Sequence, residues 1–262
     1  MPALPRARKR FGQHFLTDRH YVERIVQAIA PARGDSMVEI GPGTGILTEQ
    51  LLAHLAHLHA VEIDRDLAAQ LRRQFPAAKL TVHGQDALEF DFDSLAAPLR
   101  VVGNLPYNVS TPILFRMAAI ADRVRDCVFM LQKEVVERMV AKPDTPEYGR
   151  LSVMLQYRFA MAIAVRVPPG AFTPPPKVDS AVVRMAPLGA ERVRARDEAL
   201  FGRIVGAAFE QRRKMLRGAL RSLLVKPQVF EAAGIDSARR GETLSVAQFV
   251  ALADAAAIRP AG

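Results

Sequence analysis

From Met37 onward, short apolar runs alternate with longer stretches whose apolar positions recur at helical spacing. The runs at 37–40, 59–63, 80–83, 100–103 and 126–131 predict five successive strands, and the periodic stretches at 46–58, 66–74, 112–121 and 133–141 predict helices between and after them. Strand and helix in alternation mark a parallel sheet covered by helices. Two more runs, 160–167 and 179–185, are joined by the proline-rich stretch 168–177. A join that short predicts an antiparallel last pair, and the expected fold class is α/β with a mostly parallel sheet of seven strands.

After Pro187 the strand pattern stops and a charged stretch begins. Helical spacing then covers 196–209, 212–224, a short piece near 228–233 and a last helix from Ser245, where Ser245 and Gln248 form a capping box ahead of Phe249 and Leu252. The chain is therefore expected to divide into domains 1–187 and 188–262.

Charge changes this picture. The net charge is +9, and residues 188–262 hold 13 Lys and Arg against 8 Asp and Glu, so positive charge is denser in the helical tail. Polyanions are the expected partner class. Half of the chain is apolar, so a buried core is assured, yet no uncharged apolar run approaches the ~18 residues of a membrane span. Cys127 is the single cysteine and sits in an apolar run, which excludes disulfides and cysteine-rich zinc sites and suits a reducing cytosol. Arg6, Arg8, Lys9 and Arg10 lack both an acidic neighbour and the apolar stretch of a secretory signal, so they read as a functional basic arm.

Two turns carry the candidate chemistry. Gly41-Pro42-Gly43-Thr44-Gly45 lies between a predicted strand and a predicted helix, where backbone can approach a ligand closely. Asn104-Leu105-Pro106-Tyr107 follows the fourth strand. The lone pair of an exocyclic adenine amine is delocalised and attacks carbon poorly unless acceptors hold its two hydrogens; Asn104 and the Leu105 carbonyl are candidate acceptors. Pro106 stiffens the turn and donates no N–H, and Tyr107 offers a flat face for a base. Phe172, ahead of Pro174-Pro175-Pro176, is the candidate second wall of that base slot. Glu62, at the end of the second strand, is placed to bond ribose hydroxyls, and Asp86, at the end of the third, to accept from the amine of an adenosyl group. The G-x-G-x-G spacing disfavours a nicotinamide oxidoreductase.

The motifs Phe11-Gly12-Gln13-His14-Phe15-Leu16, Glu39-Ile40-Gly41-Pro42-Gly43-Thr44-Gly45, Val61-Glu62-Ile63-Asp64, Gln85-Asp86-Ala87, Asn104-Leu105-Pro106-Tyr107 and Phe172-Thr173-Pro174-Pro175-Pro176-Lys177-Val178-Asp179-Ser180 occur in that order. Together they resemble the ribosomal RNA adenine dimethyltransferases of the KsgA type, from about Arg8 to the last helix. The resemblance implies a Rossmann-like class I methyltransferase sheet with a small helical C-terminal domain. It also implies S-adenosylmethionine as cofactor, and dimethylation at N6 of two adjacent adenines near the 3′ end of 16S ribosomal RNA, within the small subunit or its precursor. His14 and Leu16 are then expected to touch the cofactor, Gly41 and Gly43 to line it, Glu62 to hold its ribose, Asp86 its adenine, and Asn104 to sit beside the transferred methyl. His14 departs from the pattern, since many relatives have Asn there.

Arg213, Arg217 and Arg221 recur every four residues, with Arg212 and Lys214 alongside and no acid between Arg212 and Lys226. On a helix they share one face, which is expected to bind phosphates together with Arg8, Lys9 and Arg10. His54, His57 and His59 straddle a helix end and a strand without cysteine partners, and no metal is expected. The protein is expected to be a cytoplasmic monomer. Two other readings share these motifs: a dimethyltransferase acting on large-subunit RNA, and an RNA-binding assembly factor that keeps the fold without the activity.

Overall fold

Two elements precede the first predicted strand. Phe15–Leu16 forms a short strand, β1, and Arg19–Ile29 forms helix α1 in a computed structural model that describes residues 13–223 and 225–258. The α1 helix is capped by Asp18, whose carboxylate accepts from His20 N, and it buries Val22, Ile25 and Ile29 on one face. The remaining elements of the first half are β2 (Ser36–Ile40), α2 (Ile46–Leu52), β3 (Leu58–Val61), α3 (Arg65–Gln74), β4 (Leu80–His83), β5 (Leu99–Asn104), α4 (Ser110–Ala119), β6 (Val124–Gln132) and α5 (Lys133–Val140). They are followed by α6 (Arg150–Gln156), β7 (Phe159–Val167), β8 (Phe172–Thr173) and β9 (Ser180–Pro187).

Seven strands form one sheet in the order β4-β3-β2-β5-β6-β9-β7. The first five pair in parallel, with Val38 opposite both His59 and Val101, and β9 pairs antiparallel with β6, Met130 facing Val182. Helix α2 is shorter than its apolar spacing suggests, because Leu58 leaves the helical path to pair with Leu80 in the sheet. Outside the sheet, β1 pairs antiparallel with β8, Leu16 opposite Phe172.

Arg100 on β5 ties three segments together. Its side chain is 3% exposed. Nε and Nη2 donate to the Asp126 carboxylate at 2.7 and 2.9 Å, while Nη1 donates to Asp35 at 2.6 Å and to the Ala30 carbonyl at 3.0 Å. Nη2 also donates to the Ile29 carbonyl. The guanidinium thus satisfies two buried carboxylates and the open carbonyls at the end of α1.

The contacts change units between Pro187 and Leu188, where the expected boundary lies, and they also assign an earlier segment to the second unit. One unit comprises the chain up to Val136 together with Ala160–Pro187, and Glu137–Phe159 joins the chain from Leu188 onward in the second. The reason lies in the packing of α6, which the sequence pattern did not single out. Tyr148, Val153 and Tyr157 are buried with Phe201, Ile204, Val205 and Phe249, and Tyr148 Oη donates to the Leu244 carbonyl at 2.9 Å.

The second unit also contains α7 (Glu198–Glu210), α8 (Leu216–Ala219), α9 (Pro227–Ala232) and α10 (Val246–Ala257), the last with the expected Ser245–Gln248 capping box. The single helix expected over 212–224 does not form. Residues 211–214 are turns, α8 spans one turn of helix, and Arg221–Leu223 is a separate 3-10 turn. Tertiary bonds replace helical ones here: Met215 bridges to Arg240, Leu216 N donates to Arg239 O and Arg217 N to Ser237 O. Gly218, a weak helix former, lies in the same stretch.

Candidate active site

Chain order reverses between β2 and β5, and open α/β sheets bind ligands outside the carboxyl ends of the strands at such a point. A cavity of about 340 Å³ lies there, and its wall carries Gly41, Glu62, Asp86, Asn104 and Tyr107. Both candidate turns therefore meet at one cavity.

They touch directly. Gly41 has φ +68°, and a Cβ on it would lie 3.3 Å from the Asn104 carbonyl oxygen and 3.8 Å from Pro106 Cδ. The left-handed conformation favours glycine, and a Cβ there would press on the Asn104 carbonyl. One residue before Asn104, a Cβ on Gly103 would lie 2.2 Å from the Ile40 carbonyl oxygen, so a side chain there would force β2 and β5 apart.

Glu62 is 5% exposed, with Oε2 accepting from Gly43 N at 3.1 Å and Oε1 from Asp64 N at 2.9 Å. It holds the glycine turn from below. Burial raises its carboxyl above the usual range against those two bonds. Asp86 lines the cavity and accepts from Leu88 N at 2.9 Å, capping its own turn.

Glu39 was read only as part of the glycine motif, and the structure makes it a site residue. It is 1% exposed, lines the cavity and accepts from the Thr48 hydroxyl at 2.7 Å. Burial, with a smaller effect of the Glu62 charge, pushes its carboxyl up to about 7. An acid inside the apolar run Met37-Val38-Glu39-Ile40 was the signal available in the sequence. Between about 4.5 and about 7 the folded protein holds a proton that the unfolded chain has lost, so stability falls as pH rises through that window and levels off above it. Glu39→Gln cannot ionise and is expected to be more stable than the wild type by about 3 kcal/mol at alkaline pH, the worth of the two to three pKa units between those values. Urea titrations at pH 5 and pH 8 check this: an equal difference at both pH values would mean that Glu39 does not titrate in that window.

Around the second turn, Asn104 Nδ2 donates to the His14 carbonyl at 3.1 Å, leaving Oδ1 as the acceptor of the amide. Leu105 is buried and its N–H donates to Met130 O at 3.1 Å. The Tyr107 hydroxyl bonds Ser180 Oγ at 2.8 Å, and His14 stacks on the Tyr107 ring with centroids 5.6 Å apart. His14 and Leu16 both line the cavity, with Leu16 buried.

Phe172 is not where a base-stacking residue needs to be. It is 3% exposed and packs in the core with Leu16, Val165 and Val182, because β8 is drawn against β1. Its ring has no open face for a base, so the slot pairing it with Tyr107 is withdrawn for this conformation.

The basic residues of the tail lie in the second unit. Arg213, Lys214, Arg217 and Arg221 are exposed, but the broken helix does not align them on one helical face. Arg212 is partly engaged, with Nε donating to Glu242 at 2.7 Å and Nη2 to Pro146 O at 2.6 Å. The pairing of 215–217 with 237–240 brings the Arg239-Arg240 segment alongside this stretch. Arg8, Lys9 and Arg10 lie outside the described residues. Among those described, no helix is long and apolar enough to cross a membrane.

Comparison with known proteins bears on the family and the fold. Residues 5–257 match the sequence profile of the family described as ribosomal RNA adenine dimethylase. A protein named ribosomal RNA small subunit methyltransferase A from Aromatoleum aromaticum is 60% identical over 94% of this chain and 93% of its own length. One of the same name from Thiobacillus denitrificans is 59% identical over 94% and 96%. Among solved structures, a dimethyladenosine transferase from Plasmodium falciparum superposes with TM-score 0.79 at 23% identity, covering 91% of this chain and 96% of that one. The 23S rRNA methyltransferase ErmE superposes with TM-score 0.70 at 24% identity, covering 92% and 98%. At those identities the structural likeness speaks for the fold alone.

Proposed function

The chain belongs to the ribosomal RNA adenine dimethylase family, and from that premise we propose that it dimethylates N6 of two adjacent adenines in the 3′-terminal hairpin of 16S ribosomal RNA during small-subunit biogenesis, with S-adenosylmethionine as methyl donor. The observation that carries this reading is the meeting of the Asn104–Tyr107 turn and the glycine turn at one cavity.

The cavity fits such a cofactor. Glu39 is a buried carboxyl with a hydroxyl donor and a raised pKa, so a positively charged ligand beside it would favour its ionised form. Glu62, held by two backbone N–H groups, keeps acceptor capacity for ribose hydroxyls. Ile63, 44% exposed next to it, offers apolar surface to an adenine, and Asp86 an acceptor to the adenine amine. Gly41 and Gly43 with His14 and Leu16 complete the wall. When bound, the cofactor supplies an electrophilic methyl carbon on a sulfonium.

The protein's part is positioning and electrostatics. Asn104 Oδ1 and the Leu105 carbonyl accept the two hydrogens of the target amine and draw its nitrogen toward tetrahedral geometry. Tyr107 stacks on the extruded base, which offsets part of the unstacking cost. The methylated ammonium is acidic enough to lose its proton to water, so no side chain is needed as a base. The unit that carries the cavity is read as the cofactor-binding part and the unit that carries the helical tail as the RNA-binding part, acting as a cytoplasmic monomer on the small subunit.

Incubation with labelled S-adenosylmethionine and small ribosomal subunits lacking the modification, followed by nucleoside mass spectrometry, tests the proposal. Label in N6,N6-dimethyladenosine of the 3′-terminal hairpin is expected. In a parallel incubation with large subunits, label there and none in small subunits would favour the large-subunit reading, and no label in either with bound RNA the assembly-factor reading.

Replacing Arg213, Arg217 and Arg221 together by Gln is expected to lower the log–log salt slope of subunit binding by about 2–3, at roughly 0.7–0.9 per lost phosphate contact. Cofactor affinity should stay unchanged. Titrations at several salt concentrations decide it, and equal slopes with equal affinities would show that RNA docks elsewhere.

A further inference from the structure

His14 joins three parts of the site that are far apart in sequence. Its carbonyl accepts from Asn104 Nδ2 at 3.1 Å, and its ring stacks on Tyr107 at 5.6 Å with 27° between the planes. Nδ1 lies 2.8 Å from the Pro174 carbonyl. A carbonyl only accepts, so Nδ1 carries the proton of this bond. The pairing of β1 with β8 delivers this geometry, since Leu16 opposite Phe172 and Phe15 opposite Thr173 bring residue 14 beside Pro174.

Tyr107 is therefore held twice. Ser180, fully buried on β9, ties its hydroxyl, and His14 backs one face of its ring. A half-buried aromatic with one face covered and its hydroxyl anchored cannot swing about the turn, and the opposite face stays in a fixed orientation relative to Asn104. With Phe172 in the core, His14 is the residue that braces the Tyr107 face.

We propose that the His14 side chain is a positioning residue for the target base: through Pro174 and Tyr107 it sets the stacking face against Asn104, while its backbone forms cofactor wall. This rests on the methyltransferase reading above.

The test compares wild type, His14→Ala, His14→Asn and His14→Phe by methyl transfer to unmodified small subunits at saturating cofactor, by calorimetric S-adenosylmethionine affinity and by thermal melting. His14→Ala is expected to lose about 10–100-fold in kcat, the scale of a misplacement near 1 Å, with cofactor affinity within about threefold of the wild type. It should also release a larger share of monomethyladenosine, because a loosely held base leaves between the two transfers. His14→Asn retains an N–H donor for Pro174 and should recover kcat to within about threefold of the wild type, and His14→Phe, with a ring but no donor, should fall between them. A kcat for His14→Ala within about twofold of the wild type overturns the proposal, as does a kcat loss matched by an equal loss of cofactor affinity, which would make residue 14 a cofactor residue only. If His14→Ala melts below the assay temperature, the other two variants decide: wild-type kcat and product ratio in both would overturn it. A wild type that transfers no methyl to adenine instead refutes the functional reading, and this proposal with it.

Discussion

Asn104→Ala is expected to lower methyl transfer by about 10²–10³-fold, the usual cost of removing one preorganised hydrogen-bonding group that acts mainly in the transition state. The acceptor Oδ1 is lost, and with it, under the proposed function, the hold on the target amine as its nitrogen becomes tetrahedral. A second consequence comes from the structure. Asn104 Nδ2 also holds the His14 carbonyl, so cofactor affinity should weaken slightly, by about 1 kcal/mol for one neutral hydrogen bond. The fold should survive, because the β5 ladder to β2 and β6 is made by backbone. Single-turnover assays on unmodified subunits, run beside calorimetry, separate the two effects. Near-normal turnover would remove Asn104 from the mechanism.

Arg100→Ala is expected to destabilise the protein by about 3–5 kcal/mol, because it strands buried carboxylates and helix-end carbonyls that had one common donor. Asp35 and Asp126 are each almost fully buried beside Arg100. Exposed Arg125 and Arg184 keep one contact to each, which places the loss toward the lower end of that range. A domain's whole stability is about 5–15 kcal/mol, so the variant should melt well below the wild type. Acid sensitivity should change too. Burial alone would raise the Asp35 carboxyl, but the Ala32 N–H and the Arg100 and Arg125 guanidiniums outweigh it and leave it below the ordinary 3.8. A depressed carboxyl contributes stability that is present above its unfolded pKa and lost as pH falls through the folded value. Loss of Arg100 removes much of that contribution, so the gap between variant and wild type should narrow below about pH 4. Urea unfolding at pH 7 and pH 3.5 measures both effects; a loss under about 1 kcal/mol at pH 7 would mean that the network is solvated or readily replaced.

The sheet was legible because a strand buried on both faces reads as a continuous apolar run, as at Val101-Val102 or Val128-Phe129-Met130. The two turns were legible because their glycines, Asn104 and Pro106 are local backbone devices with few alternative uses. Helix α1, with its Asp18 cap and its stripe of Val22, Ile25 and Ile29, carried the same kind of signal and went unread. Helix α6 did not carry it, being two turns long and stabilised by packing of Tyr148 and Tyr157 into the second unit. Over 212–224 the local pattern was positively misleading: arginines at four-residue intervals suit a helix, yet backbone bonds to Ser237, Arg239 and Arg240 break it.

By itself the sequence determined the class of the fold, the positions of its parallel strands and the two turns that meet at the cavity. Those depend on residue type and near neighbours, which the chain states directly. Only the tertiary structure decided that Phe172 is core, that Glu39 faces the cavity as a buried acid, that Arg212 is held by Glu242 and that the His14 ring stacks on Tyr107. Each of these outcomes depends on which donor, acceptor or ring face is already occupied by a segment tens of residues away. A side chain's chemistry is written in its own letter, but its availability is set by the partner that folding brings to it.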